Sequence, residues 1–429
     1  MSDQALVPLA YEVDGRQLHA DAPGFGQAIA ECQANGHRPR CLCQAHGAPT
    51  YVARLGTGHI VKRMPGTGHQ HAPACPHYAP PDDGSGLAPL LGSAISEDPA
   101  TGCTTLKLDF ALTQLAGRSA APATGEGGDS ARTRGPRLSL RGLLHYLWDQ
   151  AELTRWHPGF AGKRNWAIVR RHLLQAAQQM VVSGHALAPQ VYVPEPFNVE
   201  GRDAINARRL AQWQRALPMP GRPQRLMLLI GEVKEISRAR YGYKAIVKHL
   251  PDQAFMLDDA LYRQLGRRFS AQLELWATDD EVHMMMAATF GLNAAGAPAI
   301  SELCLMPVTW QWLPVADSFD GQLVAHLVEQ GRSFIKVLPY GLGHELFTAS
   351  ATLTDCGVNA PTLHIARDRS DVQVETADGR GGGKQIEWVW RAAATPVPCL
   401  PRATPHAHRA RLAPAPPGEA KLQGTLQQP

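Results

Sequence analysis

The spacing of apolar positions changes along the chain, and each spacing predicts an element. From Ser139, Leu140, Leu143, Leu144, Leu147 and Ala151 share one face with Trp148 at its edge, a helix that must end before Pro158. Trp166, Val169, Leu173, Ala177 and Met180 recur at threes and fours and predict a second helix over 165–182. An arginine-bearing helix over 202–217 precedes a proline-rich turn, and a short helix is expected over 25–33. Later helices are read over 258–269, where Leu261, Leu265 and Phe269 follow an Asp258-Asp259 start, and over 317–331, where Gly331 is the stop. Strands are expected where alternation or short buried runs replace that period: 104–112, 225–236, 243–248, 272–276, 282–290, 299–306, 309–313, 333–338, 349–354 and 361–366. Strands in succession with few helices between them favour an α+β fold over a doubly wound sheet.

Composition supports folded cores but warns of linkers. The chain has 429 residues, 44% of them hydrophobic, with 34 prolines and 40 glycines, which suits two or three domains with tails. Residues 117–136 lack an apolar period and read as a linker, and from Thr395 a Pro/Ala-rich basic tail is expected. The organisation expected is 1–80 as a small β module, 81–136 as a strand and linker, 137–223 as a basic helical region, 224–394 as an α+β domain of mixed or antiparallel sheet, and 395–429 as the tail. No run of about 18 apolar residues occurs. The start, Met-Ser-Asp-Gln, has no secretory pattern. A cytoplasmic protein without a membrane partner is the expectation, and there the eight cysteines would stay reduced.

Reduced cysteines turn attention to Cys41-Leu-Cys43 and to His69-Gln-His71-Ala-Pro-Ala-Cys75-Pro-His77, about thirty residues on. Thiolates and imidazoles are the ligands of tetrahedral zinc. Between the two clusters, residues 51–55 and 59–64 flank Gly56-Thr57-Gly58, a hairpin that returns the chain so that the clusters can meet. A zinc-ribbon-like module holding one structural Zn2+ is expected, with Cys41, Cys43 and Cys75 common to every set. The fourth ligand is His71, with His77 as the alternative. Cys32 reads as a small buried helix residue.

The runs Arg38-Pro-Arg-Cys-Leu-Cys43, Tyr51-Val-Ala-Arg-Leu55, Val61-Lys-Arg-Met-Pro-Gly-Thr-Gly68 and His71-Ala-Pro-Ala-Cys75 resemble a bacterial family catalogued as domain of unknown function 1173. The likeness continues through Leu140-Arg-Gly-Leu-Leu-His-Tyr-Leu-Trp148, Tyr192-Val-Pro-Glu-Pro-Phe197, Gly231-Glu-Val-Lys-Glu-Ile236, Lys248-His-Leu-Pro251 and Ser333-Phe-Ile-Lys336. It implies a recurring architecture and an association with integrative and conjugative elements, whose proteins would then be partners, but it implies no activity.

Charge is informative in its distribution. The net charge is +4, yet residues 137–171 hold seven Lys or Arg against two Asp or Glu, and residues 201–248 hold eleven against three. Arg164, Arg170, Arg171, Arg208 and Arg209, interleaved with aromatic residues, are the candidates for contact with DNA or RNA phosphates, against the plainer reading of a solvated basic face. In the strand over 225–236, Glu232 and Lys234 form an ExK that would place both side chains on one face, as in metal-dependent nucleases. An ordinary cross-strand ion pair explains the same residues. Phosphate-loop, nucleophile-elbow, HExxH and strand-linked GxGxxG motifs are absent. Gly379–Lys384 reads as a turn, and His344-Glu345 near Asp355 as loop. The expected protein is a noncatalytic accessory with a structural zinc; the alternatives are an enzyme centred on Glu232 and Lys234, and an adaptor that uses the zinc module.

Overall fold

Tyr11 and Val13 alternate with exposed neighbours, so β1 (Ala10–Val13) buries one face and returns through β2 (Arg16–His19). In the computed structural model, which describes residues 9–81, 85–114, 135–340, 349–367 and 388–404, these strands open a five-stranded sheet. Helix α1 (Phe25–Ala34) lays Ile29 and Cys32 on that sheet, and β3 (Arg40–Cys41), β4 (Ala48–Leu55) and β5 (Gly58–Arg63) complete the order β2-β1-β3-β4-β5. The expected hairpin is β4–β5, but it belongs to a helix-crossed sheet, a larger unit than a bare zinc ribbon. Cys32 is fully buried among Tyr11, Val13 and Val52, as a core residue.

The next part mixes short strands with the helices. After β6 (Ile95–Asp98), β7 (Cys103–Leu106) and β8 (Thr113–Gln114) come α2 (Leu140–Gln150), β9 (Arg155–Trp156) and α3 (Trp166–Gln178). Ser139 and Asn165 cap these helices, each side-chain oxygen accepting from the backbone N–H three residues on. The strand expected over 104–112 is regular only to Leu106. The helix expected to reach Val182 stops at Gln178, because Met180–Val182 forms β10, paired parallel to β7 and antiparallel to β11 (His185–Ala186). Met180 sits at helical spacing and is buried, so either element satisfies its hydrophobicity; tertiary pairing decides. Strand β12 (Val191–Tyr192), α4 (Arg202–Trp213) and β13 (Gln224–Arg225) follow, and β13 pairs with β8.

Five strands then close on themselves. They are β14 (Met227–Arg238), β15 (Tyr243–Val247), β16 (Leu250–Leu257), β17 (His283–Leu292) and β18 (Pro298–Val308), with α5 (Asp259–Arg268) and α6 (Ser270–Thr278) between β16 and β17. The long β14 pairs with β17 over Met227–Glu232 and with β15 from Val233 to Arg238, so the ring β14-β15-β16-β18-β17 returns to β14. All neighbours run antiparallel except β16 and β18, which are parallel at Met256 and Ala299. The ring centroids of Phe255 and Phe290, from non-adjacent strands, lie 5.2 Å apart, and Trp213 contacts both. The methionines 284–286 are fully buried, as strand core.

Two expected strands are absent here. Residues 272–276 lie in α6, since Leu273, Leu275 and Trp276 fit a helix as well as an alternation and the segment continues from α5. Residues 309–313 form a turn in which Thr309 N–H donates to Leu313 O at 2.9 Å and Trp312 takes a left-handed φ of 66°. Strand β16 is not announced by the sequence pattern, since Pro251 and Asp252 are exposed side by side and break the alternation.

Helix α7 (Ser318–Glu329), capped by Asp317, buries Leu323, Val324 and Leu327. It packs on β19 (Phe334–Lys336), β20 (Ala349–Leu353), β21 (Thr362–Ala366) and β22 (Trp388–Arg391). With β9 these make a sheet of order β22-β21-β20-β19-β9. Mixed helix and sheet throughout makes the chain α+β. Ile335 of β19 also enters the core of the N-terminal sheet. Most of the linker over 117–136, Gly379–Lys384, His344-Glu345 and the tail beyond 404 lie outside the described residues. No helix among the described residues is long and apolar enough to cross a membrane.

Candidate metal centre

Four side chains converge where the N-terminal sheet ends. Cys41 closes β3, and Cys43 follows in the turn held by Leu42 N–H to Ala10 O at 2.9 Å. His71 ends a single turn of 3-10 helix, Gly68–Gln70, and Cys75 lies in the next turn, its N–H bonded to Ala72 O at 2.8 Å. Gly68 is required there: a Cβ at this position would stand 2.5 Å from that of Ala79. The ligand atoms of Cys41, Cys43, His71 and Cys75 all lie within 4.8 Å of one another. Cys41 Sγ is 3.7 Å from Cys75 Sγ, and His71 Nδ1 is 3.4 Å from Cys43 Sγ and 3.8 Å from Cys75 Sγ. Tetrahedral zinc with bonds of about 2.3 Å to sulfur and about 2.0 Å to nitrogen needs ligand separations of roughly 3.5–3.8 Å. The three closest separations are near those values, and the cluster could hold a metal ion such as zinc.

The thiols also constrain one another's charge. Hydrogen bonding with Cys43 pushes Cys41 up to about 12, and the neighbouring thiols Cys41 and Cys43 raise Cys75, while bonds from Cys41 and Cys75 lower Cys43. The hydrogen bonding favours a thiolate at Cys43 and holds Cys41 and Cys75 protonated, and a divalent cation would let all three sulfurs ionise together. His77 points elsewhere: its Nε2 is 2.5 Å from Tyr11 Oη, and only its backbone N–H reaches Cys75 Sγ, at 3.4 Å. Among the described residues no hydrogen-bond partner reaches the buried His71 Nε2.

The other candidate residues are dispersed. Arg164 donates to Leu153 O at 3.1 Å and to Arg155 O and lies over the Phe160 ring; burial pulls its pKa down to about 10. Arg170 Nε donates to Val193 O at 3.0 Å. Arg208 forms a two-pronged pair with Glu195 at 2.9 and 2.7 Å. Arg209 is buried beside Asp252, Asn206 and the Trp213 ring. Arg171 is exposed, beside His172. All five guanidinium groups thus meet a protein acceptor, Arg171 only through a long contact of 3.4 Å to His172 Nε2.

Glu232 and Lys234 are not brought together. The ladder between β14 and β15 shifts between Val233 and Glu235, a bulge that breaks the expected same-face relation, and Lys234 is exposed while Glu232 is buried. Glu232 Oε1 instead accepts from Lys248 Nζ and lies beside His283 Nδ1, each at 2.7 Å. The His283 ring stacks on Trp312 at 4.7 Å. No sequence spacing announces His283, which lies 51 residues from Glu232. Burial would raise the Glu232 pKa, but the bonds from His283 and Lys248 outweigh it and the net shift is downward. Their stabilisation is complete above the ordinary glutamate value and is lost as the pH falls through the depressed one. In urea titrations Glu232→Gln should therefore cost about 1.5–3 kcal/mol at pH 7, with the gap closing in acid. A gap independent of pH would reject the charged role.

Fold and site together define an α+β protein with a Cys3His set fit for one metal ion. The chain belongs to the family described as Protein of unknown function (DUF1173), whose profile matches residues 11–393. No curated protein and no solved structure matches the chain.

Proposed function

We propose that this is a noncatalytic, structural-zinc protein that associates with nucleic acid, in the mobile-element setting its family resemblance implies. The observation that supports the zinc role is the Cys3His set itself: on a bound ion its four protein ligands would close a tetrahedral shell and leave no position for a substrate or water. Three of the four residues are nearly or fully buried, which also suits a clamp better than a reaction centre. The excess of basic residues over 201–248 supports the nucleic-acid part, as a long-range attraction for phosphates.

The test is retention of the full-length protein on labelled DNA and RNA as salt is raised. Binding should be measurable at low salt and should fall linearly in log–log form, as counterion release requires. Protein that ignores both nucleic acids at low salt would remove that part of the proposal and leave the zinc role standing.

A further inference from the structure

The closed ring of strands has a connectivity that the sequence does not announce. Three antiparallel strands in succession, a helical connection, then two strands, with the third parallel to the fifth and the first shared between the second and fourth, is the topology of an OB barrel. In such barrels the outer face of strands two and three and the loop between strands one and two commonly receive extended oligomers. Topology alone assigns no ligand, so the side chains on that face must do so.

Here the tip of the β14–β15 hairpin, its strand ends with the four-residue turn between them, reads Ser237-Arg-Ala-Arg-Tyr-Gly-Tyr-Lys244, and Gly242 makes the turn at φ 72°. Tyr241 is 76% exposed, with the Arg240 guanidinium 5.5 Å from its ring centroid. A single exposed tyrosine is ordinary on a protein surface; what distinguishes this one is the guanidinium groups around it, Arg240 over its own ring and Arg238 6.0 Å from the Tyr243 ring, the pairing of π-face and cation that takes a base and its phosphate. Tyr243 stacks on Tyr262 of α5 at 3.5 Å and 6°, which brings the helix bearing Arg263, Arg267 and Arg268 alongside the tip. Between residues 235 and 268 there are seven Lys or Arg and four Asp or Glu: Glu235, Asp252, Asp258 and Asp259. Asp258 caps α5 and Asp259 lies in its first turn, so both are committed in part to the helix start.

We infer that the β14–β15 tip, with the outer face of β15 and β16 and the adjoining α5, binds single-stranded nucleic acid, a base stacking on Tyr241 and phosphates meeting Arg238 and Arg240. The inference rests on the nucleic-acid association proposed above and gives it a surface different from the helical arginines. A single strand fits better than a duplex, since an exposed ring needs an unpaired base to stack on.

The experiment measures fluorescence anisotropy of full-length protein with poly-dT and poly-U of about 15 nucleotides, a length within the reach of one such barrel, and with a duplex of equal length. Tyr241→Ala should weaken single-strand binding about 5- to 100-fold, and Tyr241→Phe should retain it. Arg238→Ala with Arg240→Ala should weaken it and reduce the salt slope by about 1.4, two phosphates' share. Preference between poly-dT and poly-U identifies the strand; tight binding of either supports the inference. These positions are exposed, and unchanged thermal melts would show that the fold is intact. If wild-type protein binds but the tip variants bind equally well, or Arg171→Ala alone weakens binding, or the duplex binds more tightly, the tip is not the surface. If wild-type protein binds no nucleic acid, both this inference and the association beneath it fail.

Discussion

Purified protein should carry one zinc ion per chain, and Cys43→Ser should lose it together with the order of the N-terminal sheet. The core there is small: Tyr11, Val13, Ile29, Cys32, Ala48 and Val52 supply most of the buried apolar side chains, and two of the cluster's own sulfurs are counted among the rest. The loop from Gly68 to Tyr78 has little regular structure beyond one 3-10 turn, so its position depends on what His71 and Cys75 bind. Structural zinc contributes on the order of 10–16 kcal/mol of apparent binding free energy in small peptides, more than a module of this size holds in reserve. Hydrogen exchange followed by peptide mass analysis should show residues 10–78 losing protection after chelation while the barrel strands keep theirs. His71→Ala should behave as Cys43→Ser does, and His77→Ala should keep the metal, because His77 is bonded to Tyr11. Metal-free wild-type protein with unchanged exchange would overturn the claim.

Lys336→Met should be the most destabilising single change in the C-terminal sheet. Lys336 Nζ is 3.0 Å from Asp320 Oδ2 and donates to Ser350 O at 2.7 Å, and both charged side chains are about 3% exposed. Asp320 also accepts from Ala316 N–H at 2.8 Å and from the Ser350 hydroxyl. Removing the ammonium leaves a carboxylate inside with its ion-pair partner gone, a change that costs about 3–5 kcal/mol. Replacing both partners, Asp320→Leu with Lys336→Met, should recover only part of the loss, since it removes the unpaired charge but leaves Ala316 N–H and the Ser350 hydroxyl without their acceptor. Denaturation followed by tryptophan fluorescence reports on this region because Trp156, Trp388 and Trp390 lie in the same core. A cost below about 1 kcal/mol for the single variant would show the pair to be solvated in a way its burial denies.

Local signals in the sequence located the helices well, and the reason is visible in their ends. Ser139, Asn165, Asp258 and Asp317 each cap a helix through the side chain, and each stands just before an apolar period. The four residues of the metal cluster were legible for a similar reason: two short motifs and one hairpin contain the whole geometry. Long-range pairing was not legible. Nothing near Met227 says that β14 will be divided between β15 and β17, and β16, with its exposed Pro251 and Asp252, has no alternation strong enough to be read. The bulge at Lys234 is equally silent, yet it separates Lys234 from Glu232 and lets Lys248 and His283 take up the carboxylate. Leu273 and Leu275 alternate as a strand would, and only the continuous run from α5 makes them helical.

The division of β14 between two neighbours sets an order of events while the chain is being made. Its second half finds β15 almost at once, across a four-residue turn. Its first half, Met227 to Glu232, waits for β17, which begins at His283. Until those fifty-odd residues have left the ribosome, the edge of this apolar half-strand that β17 will take stays open, while the earlier β12 can pair with it only at Leu228 and Leu229. At about 5–20 residues per second that interval lasts some seconds. The length of time for which this apolar edge stays open, and a chaperone could hold it, is therefore written into the spacing between two strands of the barrel.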